Sequence, residues 1–546
     1  MKFLTRSLLL STLVAFMNSC YYTETADILI HNAKIYSVDA SFTIYEAMAI
    51  KDGKIIDLGP NNELKNRYES KKIIDAQLKP IYPGFIDAHC HFLWYGNTFN
   101  EVNLVGTKSW EEALERIKAF ESKNENKWII GRGWDQNDWE NKEFPNNEKL
   151  NELFPDKPVF LTRIDFHAAI ANQTALNLAN ITTESVIEGG IFQKINGKLD
   201  GILIDKAISV ISKAIPKLNK AQMKKALLKA QEMCFAKGLT TVDDAMLENE
   251  MVHIIDSLQQ SGELKMNIYG MLVPSDENKR EFLENGPYLT EKLSIRSFKY
   301  FADGALGSRG AKLLSPYHDD ASNSGLTLVD SVYFLEEAKA LYNNGFQMNT
   351  HCIGDGANRM VLDIYGQVLQ GTNDRRWRVE HAQVLDESDF YKFQQFTIIP
   401  SVQPTHATSD YPWALDRLGE KRLKHSYAYK KLLSMNGILP LGTDFPIEDI
   451  DPLKTFYAAT IRKNISGKPN DGFQMNNALD REDALKGMTI WAAISNFEEN
   501  TKGSLEIGKK ADFIILNQDI LKIKEQEILN TKVEATYLDG EEVFKQ

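Results

Sequence analysis

The sequence predicts an α/β protein: a distorted, TIM-like (β/α)8 barrel, a small β-sandwich built from both chain ends, and a subdomain inserted after the first barrel strand. Three observations predict it. Eight apolar strand candidates alternate with helical stretches between residues 81 and 442. Short strands with Asp-Gly hairpin turns crowd both ends of the chain. The first two of the eight candidates are separated by the long stretch 88–239, which carries strands of its own.

Taken in order, residues 1–19 read as a signal peptide. Lys2 and Arg6 form a basic start, and 8–16 is an apolar run too short to span a bilayer. Met17-Asn18-Ser19-Cys20 then resembles the lipobox of bacterial lipoproteins, with Met17 in place of the usual Leu. That resemblance implies cleavage before Cys20, lipidation of its thiol and a lipid-anchored tether over 20–26. It places the protein outside the cytoplasm, on a periplasmic or cell-surface face of the bacterial envelope. An ordinary secretory signal with an incidental Cys20 is the other reading. After Cys20 only Cys90, Cys234 and Cys352 remain, too few for a disulfide framework.

Strand candidates follow at 27–30, 33–36, 47–50, 55–56 and 72–75, with Asp52-Gly53 as a turn. The far end echoes them. A turn and strand span 503–516, and a hairpin forms around Asp539-Gly540. Residues 27–79 and 500–546 are therefore expected to form one composite sandwich.

The barrel is assigned to 80–499. Its strand candidates are 81–87, 240–243, 266–272, 295–301, 346–351, 378–381, 397–402 and 438–442. Eight is the number that closes such a barrel. Between them lie helices such as 220–237, where apolar residues recur at three- and four-residue spacing. Within 88–239, the insertion, about 103–235, holds strand candidates at 128–134 and 158–163 and sits near the barrel mouth.

Polar residues end several of these strands. If His89-Cys90-His91 is extended, both imidazoles share a face about 7 Å apart and Cys90 points away. Two imidazoles so spaced can hold one divalent ion. Lys299 lies within an apolar strand, on the same face as Asp303, and such a lysine costs desolvation unless it finds a partner. His351, His381 and Asp444 end the fifth, sixth and eighth candidates. Each alone reads equally well as a satisfied core or loop residue. Together they stand at the strand ends that a barrel gathers at one mouth, where its active sites lie. His31, His253, His318, His406 and His425 have no such context and receive no role. Of the 546 residues 43% are apolar and 25% charged, an ordinary globular balance, and the net charge of −12 is interspersed. Without basic clusters, nucleic acid is excluded as a partner.

Several segments carry a family resemblance. They are Gly84-Phe85-Ile86-Asp87-Ala88-His89-Cys90-His91, Phe301-Ala302-Asp303-Gly304-Ala305-Leu306-Gly307-Ser308-Arg309-Gly310, His351-Cys352-Ile353-Gly354-Asp355-Gly356-Ala357, Val379-Glu380-His381-Ala382 and Gly442-Thr443-Asp444-Phe445-Pro446. Over about 27–546 the chain resembles the amidohydrolase superfamily, in the amidohydrolase 3 or YtcJ-like branch grouped with N-substituted formamide deformylase. The resemblance implies one or two divalent metal ions, zinc being the expected one. His89 and His91 match ligands of the buried metal, and His351 and His381 match ligands of a second. Lys299 matches a lysine that is carboxylated in many members and bridges two metals. Asp444 matches the aspartate that binds metal and shuttles the proton.

The residue types suit that chemistry. Imidazole and carboxylate hold zinc-like ions, and a bound ion brings the pKa of its water down to about 7. Asp444 then accepts a proton and passes it to a leaving nitrogen. The expected reaction is hydrolysis of a non-peptide, amide-type C–N bond in a small molecule. A cyclic-amide or ester hydrolase on the same site, and a non-catalytic metal-dependent binding lipoprotein, remain as alternatives. Trp134 and Arg163 in the insertion, and Asp303 and Arg309 after the fourth strand, are candidate substrate-binding residues. Either arginine could clamp a carboxylate, or be engaged in an ion pair within the protein.

Overall fold

The computed structural model describes residues 24–123, 127–164, 168–187 and 190–546. The expected signal peptide and Cys20 lie outside the described residues.

Seven parallel strands follow one another around the barrel: β1 (Phe85–Cys90), β2 (Leu239–Leu247), β3 (Asn267–Leu272), β4 (Leu293–Phe301), β5 (Gln347–Cys352), β6 (Arg378–His381) and β7 (Ile399–Ser401). They are buried on both faces, as parallel strands wrapped by helices must be, so they read as near-continuous apolar runs. The surrounding helices turn one apolar stripe inward. Lys220–Ala236 buries Leu227, Ala230, Cys234 and Phe235. Its start is fixed by a reciprocal pair of hydrogen bonds between Asn219 and Gln222, both 3.0 Å.

The eighth expected strand, 438–442, is not a strand. Pro440 lacks an amide donor, and only one parallel bridge forms, Val402 to Leu441. The segment still closes the ring. Gly442 N–H donates to Val402 O (3.0 Å), Ala88 N–H to Leu441 O (3.2 Å) and Asp444 N–H to His89 O (2.8 Å). Contact here is so close that a Cβ on Gly442 would lie 2.6 Å from the His89 amide nitrogen.

The first expected strand, 81–87, divides in two. Pro80–Pro83 pairs with Phe513–Leu516 and Lys34–Tyr36 in a different sheet. Gly84 carries the chain across to β1, at a point where a Cβ would fall 2.3 Å from Thr240 Oγ1.

The chain ends build two sheets, one from the N-terminal part alone and one from both ends. A four-stranded sheet comprises Lys54–Gly59, Ala47–Lys51, Glu24–His31 and Tyr68–Asp75. A six-stranded sheet runs Glu541–Lys545, Val533–Leu538, Phe513–Leu516, Pro80–Pro83, Lys34–Tyr36, Ile44–Tyr45. Ile30, Ile35, Met48, Ile50, Ile81 and Phe513 share one core between them. Asp519 adds a polar tie, accepting from Lys34, from Tyr36 OH (2.7 Å) and from Tyr82 OH (2.9 Å). The insertion builds a third sheet, from Val102–Asn103 at one edge to Gly190–Ile195 at the other. Trp134, Leu161 and Ile170 lie in its core. Among the described residues no helix is long and apolar enough to cross a membrane.

Candidate active site

The carboxyl ends of β1, β4, β5 and β6 and the closing segment bring six of the sequence-selected residues together: His89, His91, Lys299, His351, His381 and Asp444. His89 is 1% exposed. Its Nδ1 lies 2.7 Å from Glu380 Oε2, so Nδ1 carries the proton and Nε2 keeps its lone pair. That Nε2 faces Lys299 Nζ at 3.0 Å. His91 is oriented in the same way by the Ala245 carbonyl, 3.3 Å from Nδ1, which leaves Nε2 3.3 Å from Asp444 Oδ1. His351 and His381 stack edge to face with ring centroids 4.5 Å apart, and His381 lies 5.1 Å from the His89 ring.

Asp87 stitches the site together from behind. It accepts the amides of His89 (3.2 Å) and Thr443 (2.9 Å) and the Thr443 hydroxyl (2.6 Å), tying β1 to the segment that carries Asp444. His381 (φ 71°) and Asp444 (φ 64°) both adopt left-handed backbone. Such strain costs about 1–3 kcal/mol per residue and collects at functional positions.

Electrostatics keep three of the imidazoles, His351, His381 and His89, neutral. Burial and the Lys299 charge push His351 down to about 3. Burial and the neighbouring His351 and His89 rings hold His381 well below its usual range. His89 is lowered by burial and Lys299, against the pull of Glu380. Burial also lowers the Lys299 amine. For Asp444, burial opposes ionisation, but the hydrogen bond from His406 and the neighbouring His91, His89 and His381 rings outweigh it and hold the carboxyl well below 3.8.

The residues present fit a divalent metal. His351 Nε2, His381 Nδ1 and Asp444 Oδ1 are buried with no hydrogen-bond partner among the described residues. Leaving such atoms unsatisfied costs about 1–3 kcal/mol each. Neutral imidazoles beside an ionised carboxylate are the donor set that zinc-like ions take. Donor atoms of His89, His91 and Asp444 lie within 4.8 Å of one another, as do those of His381, His406 and Asp444.

Three other sequence-selected residues stand away from this centre, and a fourth, Asp303, backs it with Oδ1 3.8 Å from His351 Nε2. Trp134 is fully buried in the insertion core and donates Nε1–H to Leu161 O (2.9 Å). Arg163 reaches Asp135 (2.6 Å) and Gln136 (2.9 Å). Arg309 binds Asp319 through two nitrogens (3.1 and 2.9 Å), and Arg417 joins the same carboxylate. Asp303 is wholly buried and accepts the amides of Lys312, Ile353 and Gly354 (2.8, 3.0 and 2.8 Å), so it shapes the turns after β4 and β5.

Two residues that sequence reasoning left unassigned complete the centre. Glu380 precedes His381 in β6, where strict alternation sends neighbours to opposite faces. His406 starts the helix Pro404–Leu423 and has no strand-end signal. Its Nε2 lies 3.1 Å from Asp444 Oδ2 and its Nδ1 3.4 Å from Glu448 Oε1. Burial works against a charged His406, but these two carboxylates raise it well above its usual range. Above the centre opens a cavity of about 1240 Å³.

A family model described as "Amidohydrolase family" matches residues 72–544. The chain is similar to Protein LONG AFTER FAR-RED 3 of Arabidopsis thaliana, 32% identical over 95% of this chain and 92% of that protein. It is similar to YtcJ of Bacillus subtilis (strain 168), 30% identical over 94% of this chain and 99% of that protein. Among solved structures it resembles an uncharacterized metal-dependent hydrolase from Pyrococcus horikoshii OT3. The TM-score is 0.77 at 29% identity, covering 91% of this chain and 99% of that one.

Proposed function

This chain belongs to the amidohydrolase family and is a metal-dependent hydrolase, and on that premise we propose that it cleaves a non-peptide, amide-type C–N bond of a small molecule with water. The observation that carries this reading is the set of buried, unpartnered donor atoms on His351, His381 and Asp444 around Lys299. The resemblance of the strand-end motifs to the formamide deformylase branch supports the choice of bond.

In this reading His89, His91 and Asp444 would hold one zinc ion, and His351 and His381 a second. Burial of Lys299 favours its neutral amine, which would add CO2 and lose a proton to give an anionic carbamate able to serve as a further oxygen ligand. Divalent ions supply Lewis acidity towards water and towards the substrate carbonyl. Asp444 takes the proton of the attacking water and delivers it to the leaving nitrogen. His406 fixes Asp444 Oδ2 for that transfer, and Glu380 fixes the His89 tautomer.

The test uses metal-loaded protein and a panel of N-acyl amines, formamides and cyclic ureides. Asp444→Asn is expected to lower turnover by about 10²–10⁴-fold, the usual contribution of a proton-transfer group, with the fold intact. Turnover equal to the parent's refutes the role. Elemental analysis reads the ions directly: two per chain are expected, and fewer in His89→Ala.

Lipid anchoring through Cys20 belongs to the same proposal and rests on the sequence of 2–20. Radiolabelled palmitate is expected to enter the parent chain and not Cys20→Ser. Equal labelling of the two removes the anchor.

A further inference from the structure

The cavity wall has a chemical bias. Its apolar part includes Trp94, Met223, Met246, Met251, Phe301 and Trp413. Met246 is held out at 42% exposure on left-handed backbone (φ 79°), at the carboxyl end of β2. The charged part is one-sided. Glu248, Glu250 and Glu277 line the cavity, are exposed, and have no ion pair among the described residues. Deeper in the same wall, Asp244 is 2% exposed. Its Oδ1 accepts the Phe92 amide (2.8 Å), and its Oδ2 has no hydrogen-bond partner among the described residues. Against these carboxylates stand Lys217, Lys299 and the imidazoles of the metal centre. No guanidinium lines the wall among the described residues. Arg309, an apt clamp for a substrate carboxylate, is turned to Asp319.

We infer that this enzyme takes amides with an apolar body and a neutral or cationic far end, and rejects those whose far end is a carboxylate. The inference rests on the hydrolase reading and specifies its substrate class. An anionic far end would meet like charge from Glu248, Glu250 and Glu277, whereas an ammonium meets complementary charge. An apolar body gains by leaving water for the Met and Trp wall.

Three matched acetanilides test it, bearing 4-methyl, 4-aminomethyl or 4-carboxymethyl groups. Each is mixed with the metal-loaded full-length protein. Quenching of tryptophan fluorescence reports binding in the first seconds, and release of the aniline reports turnover. The methyl and aminomethyl compounds are expected to bind at least tenfold more tightly than the carboxymethyl compound. The ammonium preference is expected to shrink in 0.5 M salt, because exposed charges are screened. Glu248→Lys, Glu250→Lys and Glu277→Lys together are expected to invert the aminomethyl to carboxymethyl ratio. All three sites are exposed, and a thermal melt verifies the fold. Equal or tighter binding of the carboxymethyl compound, or failure of all three to bind, overturns the inference. So does an unchanged ratio in the folded triple variant. Selective binding without aniline release would instead keep the inference and sink the hydrolase reading, whereas turnover that favours the carboxylate does the reverse.

Discussion

Glu380→Gln removes one negative charge from a wholly buried position while keeping the shape of the side chain. In the parent, Glu380 Oε2 lies 2.7 Å from His89 Nδ1, and Oε1 is 4.0 Å from the buried Arg378 guanidinium. A hydrogen bond to a charged group contributes about 1.5–3 kcal/mol. Converted at about 1.4 kcal/mol per factor of ten, that is roughly 10- to 100-fold in an equilibrium constant. Replacing the partner of a metal-binding imidazole costs about 10- to 100-fold in metal affinity by an independent route, so the two figures agree. Glutamine can still accept from Nδ1–H, which places Glu380→Gln near tenfold. Glu380→Ala leaves His89 Nδ1 without its acceptor and belongs near a hundredfold. The assay is competition for zinc against a chromogenic chelator at fixed pH, with circular dichroism to verify the fold. Zinc affinity within twofold of the parent in a folded Glu380→Ala would refute the reasoning, because His89 would then need no partner to present Nε2.

Three further outcomes follow from the same geometry. His406→Asn withdraws the ring nitrogen 3.1 Å from Asp444 Oδ2, and is expected to lower turnover about 10- to 100-fold at unchanged zinc content, read by steady-state kinetics beside elemental analysis. Gly442→Ala forces a methyl to within 2.6 Å of the His89 amide nitrogen, so a loss of about 1–3 kcal/mol in denaturant unfolding is expected, together with weaker zinc binding. Asp519→Asn tests pH linkage beside the six-stranded sheet. Burial disfavours the Asp519 carboxylate, but hydrogen bonds from Lys34, Tyr36 and Tyr82 outweigh it and hold its folded pKa below 3.8. Its contribution is therefore present above the unfolded value of about 4 and is lost as pH falls through the folded one. The variant is expected to melt below the parent at pH 7, with the gap closing as the pH is lowered to 3; a gap independent of pH would contradict that sign.

Much of the barrel was legible because buried parallel strands are apolar on both faces, so a polar residue at their carboxyl end stands out. Arg378–His381 has the same bounds in sequence and structure on that signal, and Lys299 stands out because nothing else in its strand is charged except Arg296. The six metal-centre candidates share that signature. Two of the departures in strand bounds are backbone effects that periodicity does not register: Gly84 splits one apolar run between two sheets, and Pro440 leaves the eighth segment a single bridge. Glu380 and His406 were illegible for different reasons. Glu380 is masked by alternation next to a left-handed His381, and His406 reaches the centre from a helix start that any polar residue could occupy. Trp134, Arg163, Asp303 and Arg309 show the converse. Their side-chain chemistry suited a substrate, but each is already engaged with Leu161, Asp135, backbone amides or Asp319. Only tertiary structure reveals such commitments.

The six-stranded sheet joins Lys34–Tyr36 and Pro80–Pro83 to strands that lie beyond residue 512. During synthesis, at about 5–20 residues per second, the early strands therefore wait on the order of half a minute for their neighbours. Meanwhile Pro80–Pro83 lacks its partner Phe513–Leu516, and Ile35 and Ile81 lack the part of their core that Phe513, Ile515 and Tyr537 supply. The barrel can assemble around them first, since each of its strands hydrogen-bonds to one made shortly before or after it, apart from the long step from β1 to β2. Completion of the sheet is thus a late, long-range event. The nascent chain carries an open edge until Phe513–Leu516 emerges, and a chain that stops short of Phe513 keeps that edge open.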